Sequence, residues 1–136
     1  MKMVVSDSGT GKSYQRDVPK EQEGLLVGKK VGEKLEGGII GLGGYTLEIT
    51  GGSNASGFPM RREIPGSKRI FALLSKAPGV RHLPKGQRVK KPVVGGVIAA
   101  TTAQINAKIS SKGEKSLEDL GFVTKPKEAK KEEKKA

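Results

Sequence analysis

The chain has 136 residues, no cysteine, no tryptophan and one histidine, which excludes a disulfide framework, a Cys-based zinc site, a thiol nucleophile and a His-rich metal site. Lys and Arg number 26 against 14 Asp and Glu, a net charge of +12, so a polyanionic partner is expected: nucleic acid first, an anionic membrane surface second. No apolar run approaches the roughly 18 residues of a membrane span, and residues 1–7 lack the apolar stretch of a secretory signal, so no membrane role and a cytoplasmic location are expected.

The 20 glycines interrupt most windows, and no stretch sustains a helical apolar period over several turns. Short apolar and β-branched runs between glycine clusters predict strands instead. Residues 3–6 and 13–18 flank Asp7-Ser8-Gly9-Thr10-Gly11-Lys12, the pattern of a hairpin with a glycine-rich turn. Residues 25–31 and 34–40 read as strands broken by Gly28, Gly32, Gly37 and Gly38. Residues 45–50 alternate, with Tyr45, Leu47 and Ile49 on one face. Residues 69–75 are almost continuously apolar after Arg69, which predicts burial on both faces. Residues 93–98 follow, then 104–110 with Ile105, Ala107 and Ile109 facing one way. The predicted fold is mainly β: a small closed or nearly closed antiparallel β-barrel with Gly-rich turns and a basic loop-strand segment. A short C-terminal helix is predicted at 117–120, capped by Ser116 with Asp119 in capping-box position and ended by Gly121. Residues 1–121 form the predicted domain. The Lys/Glu-rich tail, 122–136, sets like charges at Lys127–Lys131, Lys130–Lys134 and Lys131–Lys135 and is expected to be disordered alone.

The charge is concentrated. Residues 1–60 balance seven basic against seven acidic side chains, so Lys29, Lys30 and Lys34 fall in a neutral stretch. Residues 61–91 carry ten basic residues against Glu63 alone. Self-repulsion on that scale makes sense if a partner neutralises it. The predicted RNA-binding set is Arg61, Arg62, Lys68, Arg69, Lys76, Arg81, His82, Lys85, Arg88, Lys90 and Lys91.

Three motifs bear on chemistry. Residues 6–13, Ser-Asp-Ser-Gly-Thr-Gly-Lys-Ser, come within one residue of the phosphate-binding pattern G-x-x-x-x-G-K-[ST]. That mechanism needs a helix N-terminus after the lysine, whereas residues 14–19 alternate and end in Pro19, so a hairpin turn is expected and not a nucleotide site. His82 lies between Arg81 and the nearby Lys85, which disfavour an imidazolium and repel a metal ion, so it reads as a loop residue able to touch phosphate or a base. No catalytic set, metal site, cofactor or small-molecule substrate is indicated. The third motif is the run Ile49-Thr50-Gly51-Gly52-Ser53-Asn54-Ala55-Ser56-Gly57-Phe58-Pro59-Met60. Gly51 and Gly52 allow positive φ and close backbone approach, Phe58 and Met60 can seat the loop on the core, and Pro59 stiffens it. The first of the predicted RNA-binding arginines follows directly; a purely structural turn is the competing interpretation.

This run resembles the hallmark of the archaeal and eukaryotic type of small-subunit ribosomal protein six, the S-six-e family. The resemblance extends through Gly41-Leu-Gly-Gly-Tyr45 ahead of the hallmark, Leu74-Ser-Lys-Ala-Pro-Gly79, Lys85-Gly-Gln-Arg-Val-Lys-Lys91, Gln104-Ile-Asn-Ala-Lys-Ile109 and the archaeal-like ending Lys112–Leu120, all in order over residues 1–121. Asn54 stands where the hallmark usually has Asp, and residues 95–102 are less polar than the family's usual run. The long phosphorylatable tail helix of eukaryotic members has no counterpart, so the chain resembles the short archaeal form. The resemblance implies a barrel-centred, non-catalytic protein bound to small-subunit ribosomal RNA beside neighbouring ribosomal proteins. With five aromatic residues in the chain, no single-strand stacking platform is expected, and recognition should rest on RNA shape and phosphate position. A free-standing nucleic-acid-binding barrel outside the ribosome is the alternative.

Overall fold

Alternation of apolar and polar side chains from Met3 onward produces the first hairpin. In the computed structural model, which describes residues 1–113 and Leu117, β1 (Lys2–Asp7) pairs antiparallel with β2 (Lys12–Asp17) from Lys2↔Asp17 to Asp7↔Lys12. Asp7 closes the turn. Its carboxylate accepts from the Gly9 N–H at 2.8 Å, the Thr10 hydroxyl at 3.1 Å and the Lys112 ammonium at 3.1 Å. The Gly9 bond above all, with Lys112 second, holds this buried carboxyl below its ordinary value of 3.8. The phosphate-loop look-alike is therefore a hairpin turn, and β2 follows it instead of a helix.

Residues 25–31 are not a strand. Pro19 precedes a two-turn helix, α1 (Lys20–Leu26), whose first turn carries Glu21 and Glu23. Leu26 is fully buried beneath the helix, and the Met1 amino group lies 2.5 Å from Glu23 Oε1. The segment predicted as one strand over 34–40 divides into β3 (Lys34–Glu36) and a 3-10 turn, Gly37–Ile40. At Gly37 a Cβ would stand 2.4 Å from the Leu42 carbonyl oxygen, so only glycine fits there.

β4 (Thr46–Asn54) and β7 (Thr102–Ser111) agree with the alternation read from the sequence. Tyr45, Leu47, Ile49, Ile105, Ala107 and Ile109 all join one buried cluster with Met3, Val5, Leu26 and Leu42. The sheet order is β2-β1-β7-β4-β3. The barrel expectation is corrected here: the five-stranded sheet is open, with β2 and β3 at its edges, and β1 runs parallel to β7. A three-residue β3 is too short to close it, and β2 exposes every residue but Tyr14 along its edge. Short, charged edges of this kind limit further pairing without closure. Of the predicted helix 117–120 only Leu117 is described, as a buried residue; the rest of it and the tail lie outside the described residues.

β5 (Arg69–Leu74) and β6 (Val89–Val94) form a separate two-stranded ribbon. This corrects a second expectation. The apolar run at 69–75 is largely uncovered: Leu74 is buried, while Ile70, Phe71 and Leu73 are 41%, 61% and 63% exposed.

Candidate nucleic-acid interface

The basic segment 61–91 follows the end of β4. At Thr50 that strand bulges, since Ile49 faces Ala107 while Gly51 faces Asn106, and the Thr50 hydroxyl donates to the Asn106 carbonyl at 3.1 Å. Gly52 is then forced by close approach, because a Cβ there would lie 2.3 Å from the Gln104 carbonyl oxygen. The positive φ anticipated for Gly51 and Gly52 occurs instead at Gly57, at 83°.

The hallmark turn is held by its own backbone and one side chain. Asn54 Oδ1 accepts the Phe58 N–H at 2.9 Å, the Asn54 N–H donates to the Phe58 carbonyl at 3.2 Å, and the Gly57 N–H donates to the Asn54 carbonyl at 3.0 Å. What position 54 must supply is an acceptor oxygen, which Asn provides as well as Asp. The chain then turns back, with Ser53 bridging Pro59 and the Met60 N–H donating to the Gly52 carbonyl at 2.9 Å. These contacts give Ser53, Asn54 and Phe58–Met60 structural work.

From Pro59 to Lys68 the chain wraps the end of β6. Val94 donates to the Pro59 carbonyl and accepts from the Arg61 N–H, while Gly95, Gly96 and Val97 donate to the carbonyls of Lys68, Ile64 and Gly66. The wrap is tight. A Cβ at Gly95 would fall 1.9 Å from the Gly66 carbonyl oxygen, and one at Gly96 would fall 3.0 Å from that of Arg61. Both glycines are buried against the chain's own backbone.

The wrap, the ribbon and the loop between its strands carry the predicted cations. Arg61 and Arg62 stand on the wrap, Lys68 and Arg69 where it enters β5, Lys90 and Lys91 on β6, and Arg88 just before it. Lys76, Arg81, His82 and Lys85 lie on the loop between the strands. That loop folds back toward the hallmark, since a Cβ at Gly79 would meet Pro59 Cγ at 3.2 Å. Arg69 sets its guanidinium 5.2 Å from the Phe58 ring centroid, tying the ribbon to the same turn. His82 adopts φ 54°, the one positive value of a non-glycine among the described residues. All of these side chains are exposed except Arg61.

Arg61 differs from the others. Its Nε donates to Glu63 Oε2 at 3.2 Å, and its Nη1 is buried with no hydrogen-bond partner among the described residues. Glu63 is held below the ordinary carboxylate range by its own backbone N–H and by Arg61. Within the set, Arg61 is thus partly neutralised inside the chain.

Two cations missed by the linear count join this surface. Lys30 bridges Val97, and Lys29 accepts from the Ile98 N–H through its carbonyl. The Val31 N–H donates to Gly96, and the Arg62 guanidinium carbon lies 3.3 Å from where Gly32 would carry a Cβ. Lys29 and Lys30 therefore flank the wrap, although 1–60 is neutral as a stretch. No spacing rule in the sequence announces this pairing. No helix is long and apolar enough to cross a membrane, and no group of three or more His, Asp or Glu lies together as a metal set, among the described residues.

The described domain is open and mainly β, and its basic segment 61–91 lies along one wrapped ribbon and its loop. Residues 1–121 match the family described as Ribosomal protein S6e. Among relatives named small ribosomal subunit protein eS6, that of Methanocaldococcus jannaschii is 48% identical over 119 residues, 88% of each chain. Those of Methanosphaerula palustris and Methanocella arvoryzae are 44% and 42% identical, covering 88% and 96% of this chain and 90% and 89% of theirs. The chain belongs to the ribosomal protein S6e family.

Proposed function

We propose that this protein is a structural constituent of the small ribosomal subunit in the cytoplasm, bound to ribosomal RNA and to neighbouring ribosomal proteins, without catalysis. The observation that carries the RNA-binding part is the wrapped surface: eight of the ten cations of 61–91 lie on or beside one ribbon and its loop, joined by Lys29 and Lys30. Arginines there suit bidentate phosphate contacts and lysines suit point-charge contacts. Family membership supports the ribosomal role and its non-catalytic nature. Residues 1–121 serve as the binding unit, and 122–136 add attraction through six Lys against three Glu.

The test is a sucrose gradient of lysate from the native host, blotted for this protein at low and moderate salt. Sedimentation with the small subunit that survives moderate salt is the expected result. Recovery at the top of the gradient, or with DNA, would replace this reading with a free-standing nucleic-acid-binding protein.

A further inference from the structure

The outward face of β5 breaks the pattern of its surroundings. Side chains alternate along a strand and directly opposed residues share a face, so Phe71 and Leu73 share theirs with Pro92 and Lys90 across the ribbon. Phe71 and Leu73 are each more than 60% exposed. The Lys90 ammonium stands over the Phe71 ring at 6.0 Å from its centroid, the outer limit of a cation–π contact, so a flexible lysine lies on a ring that is still largely exposed to a flat partner.

We propose that Phe71 stacks an unpaired base of the RNA, with Leu73 against its edge and Lys90 and Arg69 meeting the flanking phosphates. This deepens the RNA-binding reading and rests on it. The charge around the face selects the occupant: between residues 61 and 91 there is one acidic side chain against ten basic ones. A protein surface covering Phe71 and Leu73 would have to neutralise Arg69 and Lys90, which share their face, with carboxylates of its own. A looped-out nucleotide brings a flat apolar face and its phosphates together. The base must be unpaired, because a base inside a helix offers no face to a side chain. One exposed ring makes a single contact point and not a platform, so shape and phosphate position still govern the remainder of the interface.

The chain has no tryptophan, so Phe71→Trp places a unique fluorophore on this face. With the full chain and protein-free small-subunit ribosomal RNA, the Phe71→Trp emission should be quenched on binding, with affinity within about threefold of the parent. Phe71→Ala should bind about 5- to 150-fold more weakly, the range set by one lost stack. Its salt slope should not change, because a stack releases no counterions. Since Phe71 is exposed, both variants should keep the parent's unfolding midpoint. An unquenched Phe71→Trp, or a Phe71→Ala that binds as tightly as the parent, overturns the stack while RNA binding stands. Phe71→Ala that binds RNA normally but leaves assembled subunits more readily assigns the face to a protein instead. A parent chain that fails to bind the RNA at all overturns the RNA reading itself.

Discussion

Asn54 shows how one side chain decides the local geometry that the cations depend on. Its amide oxygen holds the Phe58 N–H, and Phe58 in turn underlies Arg69. Removing that acceptor leaves a donor without its partner at the root of the ribbon. Asn54→Ala should lower stability by about 1 kcal/mol, while Asn54→Asp, which offers the same acceptor, should stay within about 0.5 kcal/mol of the parent. Urea unfolding midpoints of the two variants check this, and equal losses would deny the acceptor its role. The turn was legible in its Gly-Gly, Asn and Gly-Phe-Pro residues; of the two reasons read for Gly52, close backbone approach holds and positive φ does not. The demand at Gly52 is space against Gln104, a contact 52 positions away that no local pattern carries.

At the level of elements, strands were legible where alternation was long and its apolar face joined the core, as in β1, β4 and β7. α1 was not, since seven residues containing Gly24 are too few to display a helical period. Pro19 followed by Glu21 and Glu23 was the signal available; burial of Leu26 supplies the stability. The run at 69–75 misled because apolar continuity does not reveal how many faces have neighbours. The wrap at 59–68 likewise has no local signature, yet Gly95 and Gly96 fix it. Gly95→Ala should lose about 2–3 kcal/mol, as an overpacked contact does, because the opposing atom is backbone. Hydrogen exchange should then show faster opening of residues 59–68 and 89–97 than of β1 and β7. Uniform acceleration across all strands would mean that the glycine serves the whole fold and not the wrap.

Across the whole molecule, apposition outweighs position in sequence. A linear tally isolates 61–91, whereas the fold adds Lys29 and Lys30 by laying residues 28–32 against 96–98. If six to eight phosphates are contacted, log K should fall with log salt at a slope of about −4 to −7. Reversing Arg61, Arg62 and Arg69 to Glu should flatten that slope by about 2–3, and reversing Lys29 and Lys30 by about 1.5. Reversing Lys2, Lys12 and Lys20, carried by β1, β2 and α1, serves as the control in filter-binding titrations against salt. Equal flattening by the control would mean diffuse attraction and no defined interface.

The strand order carries a consequence for how the chain is made. β7 sits between β1 and β4, so it joins two hairpins, β1–β2 and β3–β4, that otherwise share no strand pairing. It is also the last described strand to be synthesised. At typical elongation rates, roughly 4–19 seconds separate completion of the first hairpin from the emergence of residues 102–111. Through that interval the apolar faces of both hairpins wait for the strand that unites them, and the cation-rich ribbon has already emerged. Folding is therefore closed from the centre and late, with long-range contacts setting its pace. A nascent chain halted before residue 102 holds two hairpins with no common sheet.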